Sequence, residues 1–175
     1  MKRILLQWKI ITAVAIAAGV LGVMLAAQVG TGTRPGGNAP AVRTIAQVTA
    51  PAGAQLITPE DLVKILQAPK GEKPLILNVG PRLLFAQAHI AGSEFIGPGS
   101  NPQSLQALRD RVKALPRGKF IVIYCGCCPW SHCPNILPAY KALAELGFTK
   151  AKALYIANNL GTDWVYKGYP TARGE

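Results

Sequence analysis

The sequence predicts an α/β domain in which a parallel β-sheet carries helices on both faces. Runs that are apolar at almost every position, such as residues 75–79 and 120–124, are typical of strands buried on both sides. Segments with apolar residues at helical spacing, such as residues 102–115, lie between those runs. Strands alternating with helices along the chain indicate a parallel sheet that is covered on both sides.

The first predicted elements are a helix and a buried strand. Residues 58–61 (Thr-Pro-Glu-Asp) have the composition of a helix start, because a hydroxyl caps free N–H groups, proline fits the first turn and acids favour the positive end of the helix dipole. An apolar stripe then continues to about Gln67. Pro74 precedes the strand over 75–79, which ends at Gly80.

The later elements complete the alternation. They are a short helix over 82–88, a brief strand over 94–96, a helix over 102–115 closed by Pro116 and Gly118, a strand over 120–124, a helix capped by Asn135 with Pro138 in its first turn and Gly147 as its stop, and a strand over 153–156.

The amino-terminal segment, residues 1–28, predicts a hydrophobic helix that reaches a membrane. Lys2, Arg3 and Lys9 precede eighteen uncharged residues, 10–27. Basic residues before an apolar stretch keep the amino end in the cytoplasm, so the remainder is expected in the cell envelope, outside the cytoplasm (periplasmic). The length favours a retained signal anchor. A cleaved signal peptide is the alternative, and the domain would then be secreted.

Residues 29–55 are predicted to be a flexible linker, followed by one domain over 56–175. The linker is rich in glycine, proline and small residues, which bury too little apolar surface to offset the entropy cost of ordering. The whole chain carries 19 basic and 8 acidic residues, a formal net charge of +11. The basic residues are scattered, without a lysine- and arginine-rich run or interleaved aromatics, so no nucleic-acid partner is expected.

All four cysteines lie in one loop after the predicted strand over 120–124. The sequence there is Cys125-Gly126-Cys127-Cys128-Pro129-Trp130-Ser131-His132-Cys133. In open parallel sheets the carboxyl ends of strands form the binding edge, and nearby backbone N–H groups and helix amino ends stabilise anions. Cys125, which directly follows the strand, is therefore the predicted nucleophile, with N–H groups of residues 126–131 directed at its sulfur.

Four motifs, in order, resemble the rhodanese-like domain family over about residues 57–171. They are Asn78-Val79-Gly80 continuing through His89-Ile90-Ala91-Gly92-Ser93, the strand Ile121–Cys125, the helix end Leu143–Phe148, and Trp164 with Gly168-Tyr169-Pro170. The resemblance implies the family's fold and sulfurtransfer, in which Cys125 takes a sulfane sulfur from a small donor and passes it to a small-molecule or protein thiol or to cyanide. The resemblance implies no cofactor, and it implies a structural role for His89.

The loop departs from the family pattern in its charge. The family's loop ends in an arginine that binds the anionic donor, whereas counting forward from Cys125 puts Trp130 there and counting back from Phe148 puts Asn135 there. Within the first motif, Asn78 and Gly80 replace an acid and an arginine. A guanidinium binds sulfonate-like oxygens bidentately. Weak activity with thiosulfate is therefore expected, and a persulfide on Cys125 remains compatible with the loop.

Three interpretations of the loop stay open at this point. The first is thiol chemistry on Cys125, either sulfurtransfer or redox, with Cys128 or Cys133 as the resolving partner. The second is a soft-metal site for copper or zinc, with four thiolates and His132 as candidate ligands. The third is a non-catalytic module whose loop is held by disulfides.

Overall fold

The computed structural model describes residues 53–174 as seven strands and four α-helices. In chain order these are β1 (Leu56–Ile57), α1 (Pro59–Gln67), β2 (Leu75–Asn78), α2 (Arg82–Gln87), β3 (His89–Ile90), β4 (Glu94–Phe95), α3 (Pro102–Val112), β5 (Ile121–Tyr124), α4 (Ile136–Glu145), β6 (Ala151–Leu154) and β7 (Thr171–Ala172). A 3-10 turn over Trp130–His132 precedes α4, and a π-helical turn over Gly161–Val165 follows β6.

Five of these strands form the predicted parallel sheet, in the spatial order β1-β6-β5-β2-β4. The register between β2 and β5 runs from Leu75 opposite Ile121 to Asn78 opposite Tyr124. The two strands that precede the family-like motifs are therefore neighbours, and β5 lies at the centre of the sheet. The predicted parallel pairing of these strands is confirmed.

Helices cover both faces of the sheet, as predicted. On one face, α3 and α4 pack their apolar residues, including Leu108 and Leu143, against Leu77, Ile121 and Ile123. On the other face, a cluster that includes Leu62 of α1 and Trp164 packs against alternate strand residues. Successive residues of β5 thus point into two cores, because strand side chains alternate between faces. This is why all four residues of β5 are apolar.

A small antiparallel pair differs from the sequence-based prediction, which had one parallel sheet. β3 pairs with β7, with His89 opposite Ala172 and Ile90 opposite Thr171. Each strand has only two residues, too few for a periodic pattern to appear in the sequence. The pair brings the end of the chain back beside α2, where Gly174 N–H donates to the carbonyl of Ala86 over 2.9 Å.

The element boundaries differ slightly from those predicted. Helix α3 ends at Val112 rather than at residue 115, and β6 lies two residues earlier than the predicted strand over 153–156. The cap of α1 is as predicted, because the Thr58 hydroxyl accepts from the N–H of Asp61 over 2.9 Å. Strand β1 was not predicted, since its two apolar residues give no pattern.

The predicted signal or anchor over 1–28 and the linker over 29–55, except its last three residues, lie outside the described residues. Gln55, at the end of that linker, already contacts the domain, because its N–H donates to the Tyr140 hydroxyl over 3.0 Å. Among residues 53–174, no helix combines the length and apolar character needed to cross a bilayer.

Candidate active site

Cys125 directly follows the central strand β5 and is only 4% exposed. Gly80, which follows the neighbouring strand β2, passes close to it. A Cβ atom on Gly80 would lie 2.8 Å from the Cys125 carbonyl oxygen and 3.2 Å from its sulfur. Any larger residue would therefore collide with the cysteine. This contact explains why glycine occupies a position where the family-like motif has arginine.

The turn after Cys125 also depends on glycine. Gly126 has a φ of +75°, in the left-handed region, and a Cβ there would lie 2.7 Å from Leu160 Cβ. Its carbonyl accepts from the N–H of Leu160 over 3.0 Å. Leu160 thus occupies the space that a side chain at position 126 would need.

The N–H groups of the loop are directed only in part at the Cys125 sulfur. The N–H of Cys127 hydrogen-bonds to Cys125 and favours its thiolate. The N–H of Trp130 instead donates to the Ile156 carbonyl over 3.0 Å, which ties the loop to the chain after β6. Pro129 has no N–H. The sequence-based expectation that residues 126–131 form a shared N–H cradle is therefore wrong for these two residues.

Three cysteine sulfurs form a cluster: those of Cys125, Cys127 and Cys133 all lie within 4.8 Å of one another. The Cys125 thiol donates to the Cys127 sulfur over 3.1 Å. Cys128 extends the group at one side, with its sulfur 3.1 Å from that of Cys127. All four are free thiols in this structure.

Asn135 holds the cluster from the amino end of α4. Its side-chain oxygen accepts from the N–H of Ser100 over 3.1 Å and from the Ser100 hydroxyl over 2.9 Å. Its amide nitrogen therefore faces the sulfurs and donates to Cys125 over 3.3 Å. Asn135 occupies the predicted cap position, but its side chain makes no capping hydrogen bond. Sequence reasoning missed this contact with the nucleophile.

The pKa values of the cysteine thiols in this loop are shifted in different directions. The hydrogen bond from Cys125 and the N–H groups of Asn135 and Ile136 lower the pKa of Cys133 to about 6, against the effect of burial. The same hydrogen bond, together with burial, raises the pKa of Cys125. Burial and the contact with Cys127 raise the pKa of Cys128 to about 12. The first thiolate of the cluster therefore forms on Cys133, beside a protonated Cys125.

The other loop residues lie at the surface or against the core. Pro129, Ser131 and His132 are exposed. The His132 ring contacts the Ser131 hydroxyl over 2.9 Å and is not part of the three-sulfur cluster. The half-buried Trp130 packs edge-on against Tyr155, with ring centroids 5.7 Å apart. Of the five candidate metal ligands, the structure thus brings three together.

His89 is structural, as expected. It is 6% exposed, its ring stacks on Phe85 with centroids 3.9 Å apart, and its Nδ1 lies 2.9 Å from the Phe85 carbonyl oxygen. Tyr124 and Trp164 are fully buried in the core.

A cavity of about 400 Å³ opens onto the cluster. Cys125, Gly126 and Cys127 line one part of its wall. Asn78 of β2 also lines it, and its side-chain oxygen accepts from the N–H of Gly80 over 3.0 Å. Cys133 does not line this cavity; it lies on the other side of Cys125, next to Trp130 and Ile136. A substrate entering the cavity therefore meets Cys125 before Cys133.

Comparison with known proteins supports the fold. No family model matches the chain, and no curated protein matches it. Among solved structures, the Alr3790 protein from Anabaena sp. is 21% identical, with a TM-score of 0.51 over 67% of this chain and 92% of that chain. The BH2092 protein from Bacillus halodurans is 22% identical, with a TM-score of 0.51 over 69% and 77%.

A solution structure of the rhodanese-like domain of the same Anabaena protein is 21% identical, with a TM-score of 0.49 over 67% of this chain and 78% of that chain. The fold shared with the two structures that have a TM-score of 0.51, a mostly parallel sheet with helices on both faces, is the one that the four sequence motifs implied.

Proposed function

We propose that this protein, whose described domain has the rhodanese-like fold, is a sulfurtransferase that carries a sulfane sulfur on Cys125 as a persulfide. The observation that carries the proposal is the placement of Cys125. Its sulfur follows the central strand, lines the cavity, and has two further cysteine sulfurs within 4.8 Å. Thiol chemistry requires an accessible nucleophile with a proton acceptor nearby, and this arrangement supplies both.

In the first step, the Cys125 sulfur attacks the outer sulfur of a donor persulfide, R–S–SH, while the Cys133 thiolate accepts the proton of the Cys125 thiol. A new S–S bond forms on Cys125, the bond between the two donor sulfurs breaks, and the donor leaves as the thiolate RS⁻. Cys133 is available as the proton acceptor because its lowered pKa leaves it unprotonated at neutral pH next to the Cys125 thiol. Since the pKa of Cys125 is the higher of the two, the proton moves only as the new S–S bond forms.

Two routes can then remove the sulfur from Cys125. An acceptor thiolate attacks the outer sulfur and takes it as a persulfide, which restores the Cys125 thiol. Without an acceptor, Cys133 loses its proton to water and attacks the inner sulfur, which releases HS⁻ and leaves a Cys125–Cys133 disulfide. That disulfide is oxidised by two electrons, so an external dithiol must reduce it before the next cycle.

Thiosulfate is a poor donor in this proposal. Its charged oxygens lie next to the sulfur that is transferred, so it needs a cation beside the nucleophile. The loop from Cys125 to Asn135 contains no arginine or lysine, and the group facing the Cys125 sulfur is the neutral amide of Asn135. A persulfide donor does not carry that charge at its reacting sulfur.

The test is intact-mass analysis of the reduced full-length protein after exposure to glutathione persulfide or thiosulfate. Glutathione persulfide should add one sulfur atom, removable by cyanide, and thiosulfate should add much less. Cys125→Ser should abolish the gain, whereas Cys133→Ser should retain a slower first transfer and release no sulfide. Cys128→Ser is the matched control, since Cys128 lies outside the three-sulfur cluster. Sulfur addition that persists in Cys125→Ser would contradict the proposal.

A soft-metal site is the second candidate function. The observation that favours it is the three-sulfur cluster, because thiolates select Cu(I) and Zn(II) and each of the three cysteines offers one ligand atom. Cu(I) or Zn(II) that stays bound through gel filtration, and is lost in both Cys127→Ser and Cys133→Ser, would support this function. Loss of two hydrogen atoms in the untreated protein would instead support the disulfide-held loop.

A further inference from the structure

The cavity beside Cys125 has the size of a small-molecule site, at about 400 Å³. Its wall combines apolar, polar and thiol side chains. Apolar side chains, among them Leu84, Leu160 and Val165, line it together with the thiols of Cys125 and Cys127. A ligand that fits this wall has an apolar part and a sulfur.

The charge of the cavity comes from one residue. Among the described residues that line it, Arg173 is the single charged side chain and none is a carboxylate. Arg173 is exposed, and within residues 53–174 it has neither an ion pair nor a hydrogen-bond partner. An unpaired guanidinium beside an apolar cavity is a ready site for an anionic group.

The backbone on both sides of Arg173 is held in place. Ala172, which precedes it, pairs with His89 in the antiparallel strand pair. Gly174, which follows it, donates its N–H to the Ala86 carbonyl over 2.9 Å. The guanidinium is therefore presented from a position held against α2, and not from the cysteine loop where the family-like pattern would place its arginine.

We propose that Arg173 binds a carboxylate of the sulfur-carrying substrate, and that this substrate is a small persulfide or thiol whose carboxylate is separated from its sulfur by an apolar spacer. The identity of the reacting group rests on the proposed function. The substrate's sulfur and its carboxylate are expected to be separated because their partners come from different parts of the cavity wall. The reactive sulfurs follow β5, and the guanidinium of Arg173 follows β7. The apolar residues that line the same cavity fit the spacer.

Binding is tested first with unreactive probes. The amide resonances of the full-length protein are followed by nuclear magnetic resonance during titration with 3-(methylthio)propionate or with its neutral amide. The acid should shift resonances around Arg173 and Gly126, and should bind about fivefold more tightly than the amide, as expected for one exposed ion pair. Arg173→Gln should remove this preference.

Arg117→Gln is the matched control variant. It removes the same charge from an exposed arginine that precedes the amino end of β5, the end opposite to Cys125, where the guanidinium lies over the Phe148 ring. It should leave the preference unchanged. Equal binding of acid and amide by the unaltered protein, or a preference that survives Arg173→Gln, would overturn the inference.

Sulfur transfer supplies the second measurement. With the persulfides of 3-mercaptopropionate and of its amide as donors, Arg173→Gln should raise KM about fivefold for the acid only and leave kcat for both donors unchanged. If neither persulfide adds sulfur to Cys125 while the protein still prefers the acid thioether through Arg173, the proposed sulfurtransfer is contradicted and the proposed carboxylate site is supported. If both persulfides react with the same KM in the unaltered protein and in Arg173→Gln, the proposed role of Arg173 is contradicted and the proposed sulfurtransfer is supported.

Discussion

The side-chain amide of Asn135 donates a hydrogen bond to the sulfur of Cys125 over 3.3 Å. The orientation of the Asn135 amide is fixed, because its oxygen accepts hydrogen bonds from the N–H and the hydroxyl of Ser100. Its nitrogen therefore faces the sulfur. An amide is a donor without charge. It therefore stabilises a thiolate or persulfide on Cys125 without attracting the charged oxygens of a donor as a guanidinium would.

Asn135→Asp should slow sulfur addition to Cys125 about tenfold at neutral pH, because a carboxylate would face the sulfur and raise its pKa further. The rate is measured by mapping the modified peptide over time. Asn101→Asp is the control: Asn101 caps α3 by accepting from Gln103 and Ser104, and aspartate caps equally well. Equal rates in the two variants would show that the contact with Asn135 is unimportant.

Gly80→Ala should lower both stability and sulfur addition. The new Cβ would lie 2.8 Å from the Cys125 carbonyl oxygen, so the cysteine must shift, and overpacking of this kind costs about 1–3 kcal/mol. Chemical denaturation and persulfide mass analysis measure the two effects. At Gly118 a Cβ would meet nothing within 4 Å, so Gly118→Ala should stay within about 0.5 kcal/mol. A Gly80→Ala protein with unaltered stability and reactivity would contradict the close approach.

The reduced protein should become reactive toward iodoacetamide as the pH rises through about 6, because the pKa of Cys133 is lowered to that value. Cys133→Ser should remove this step. Peptide mapping at each pH identifies the labelled cysteine. A single step near 8.5 in the unaltered protein would contradict the lowered pKa.

The lowered pKa of Cys133 also determines the direction in which the stability of the protein changes with pH. A thiol with a folded pKa below its unfolded value contributes stability that is fully present above the unfolded pKa, about 8.5. That contribution is lost as the pH falls through about 6. The free energy of unfolding of the reduced protein, relative to Cys133→Ser, should therefore rise between these two values. A difference that stays constant across this window would contradict the assignment.

Placement outside the cytoplasm remains a proposal that follows from Lys2, Arg3 and Lys9 before residues 10–27. A reporter that is active only in the cytoplasm, fused after residue 60, should give no signal. Replacing the three basic residues by glutamine should raise that signal, because the charge asymmetry that orients the segment is removed. Strong activity of the first fusion would contradict this placement.

The sequence predicted the fold better than the details of the site, for a physical reason. Strands β2 and β5 are buried on both sides, so their residues had to be apolar throughout and were visible as runs. Cys125 could be located because it follows such a run.

The contacts of Asn135 and the position of Arg173 at the cavity bring together residues that are apart in the chain, and no local pattern records them. Asn135 contacts Ser100, 35 positions earlier, and Cys125, 10 positions earlier. Arg173 reaches the cavity because β3 and β7 pair, and two-residue strands carry no periodicity. Asn135 at a predicted helix start indicated a cap, which is the local role of asparagine, and the fold uses its amide for the sulfur instead.

The edge strand β1 has a mechanical consequence. The chain that comes from residues 1–52 enters the domain there. Among the described strands, β1 pairs only with β6, with Leu56 opposite Ala153 and Ile57 opposite Leu154. Two backbone hydrogen bonds border it, from Ala153 N–H to Gln55 and from Tyr155 N–H to Ile57. A force that pulls the preceding chain away from the sheet edge would load these bonds one after the other. The edge would therefore separate first, before the force reaches β5, the strand that precedes Cys125.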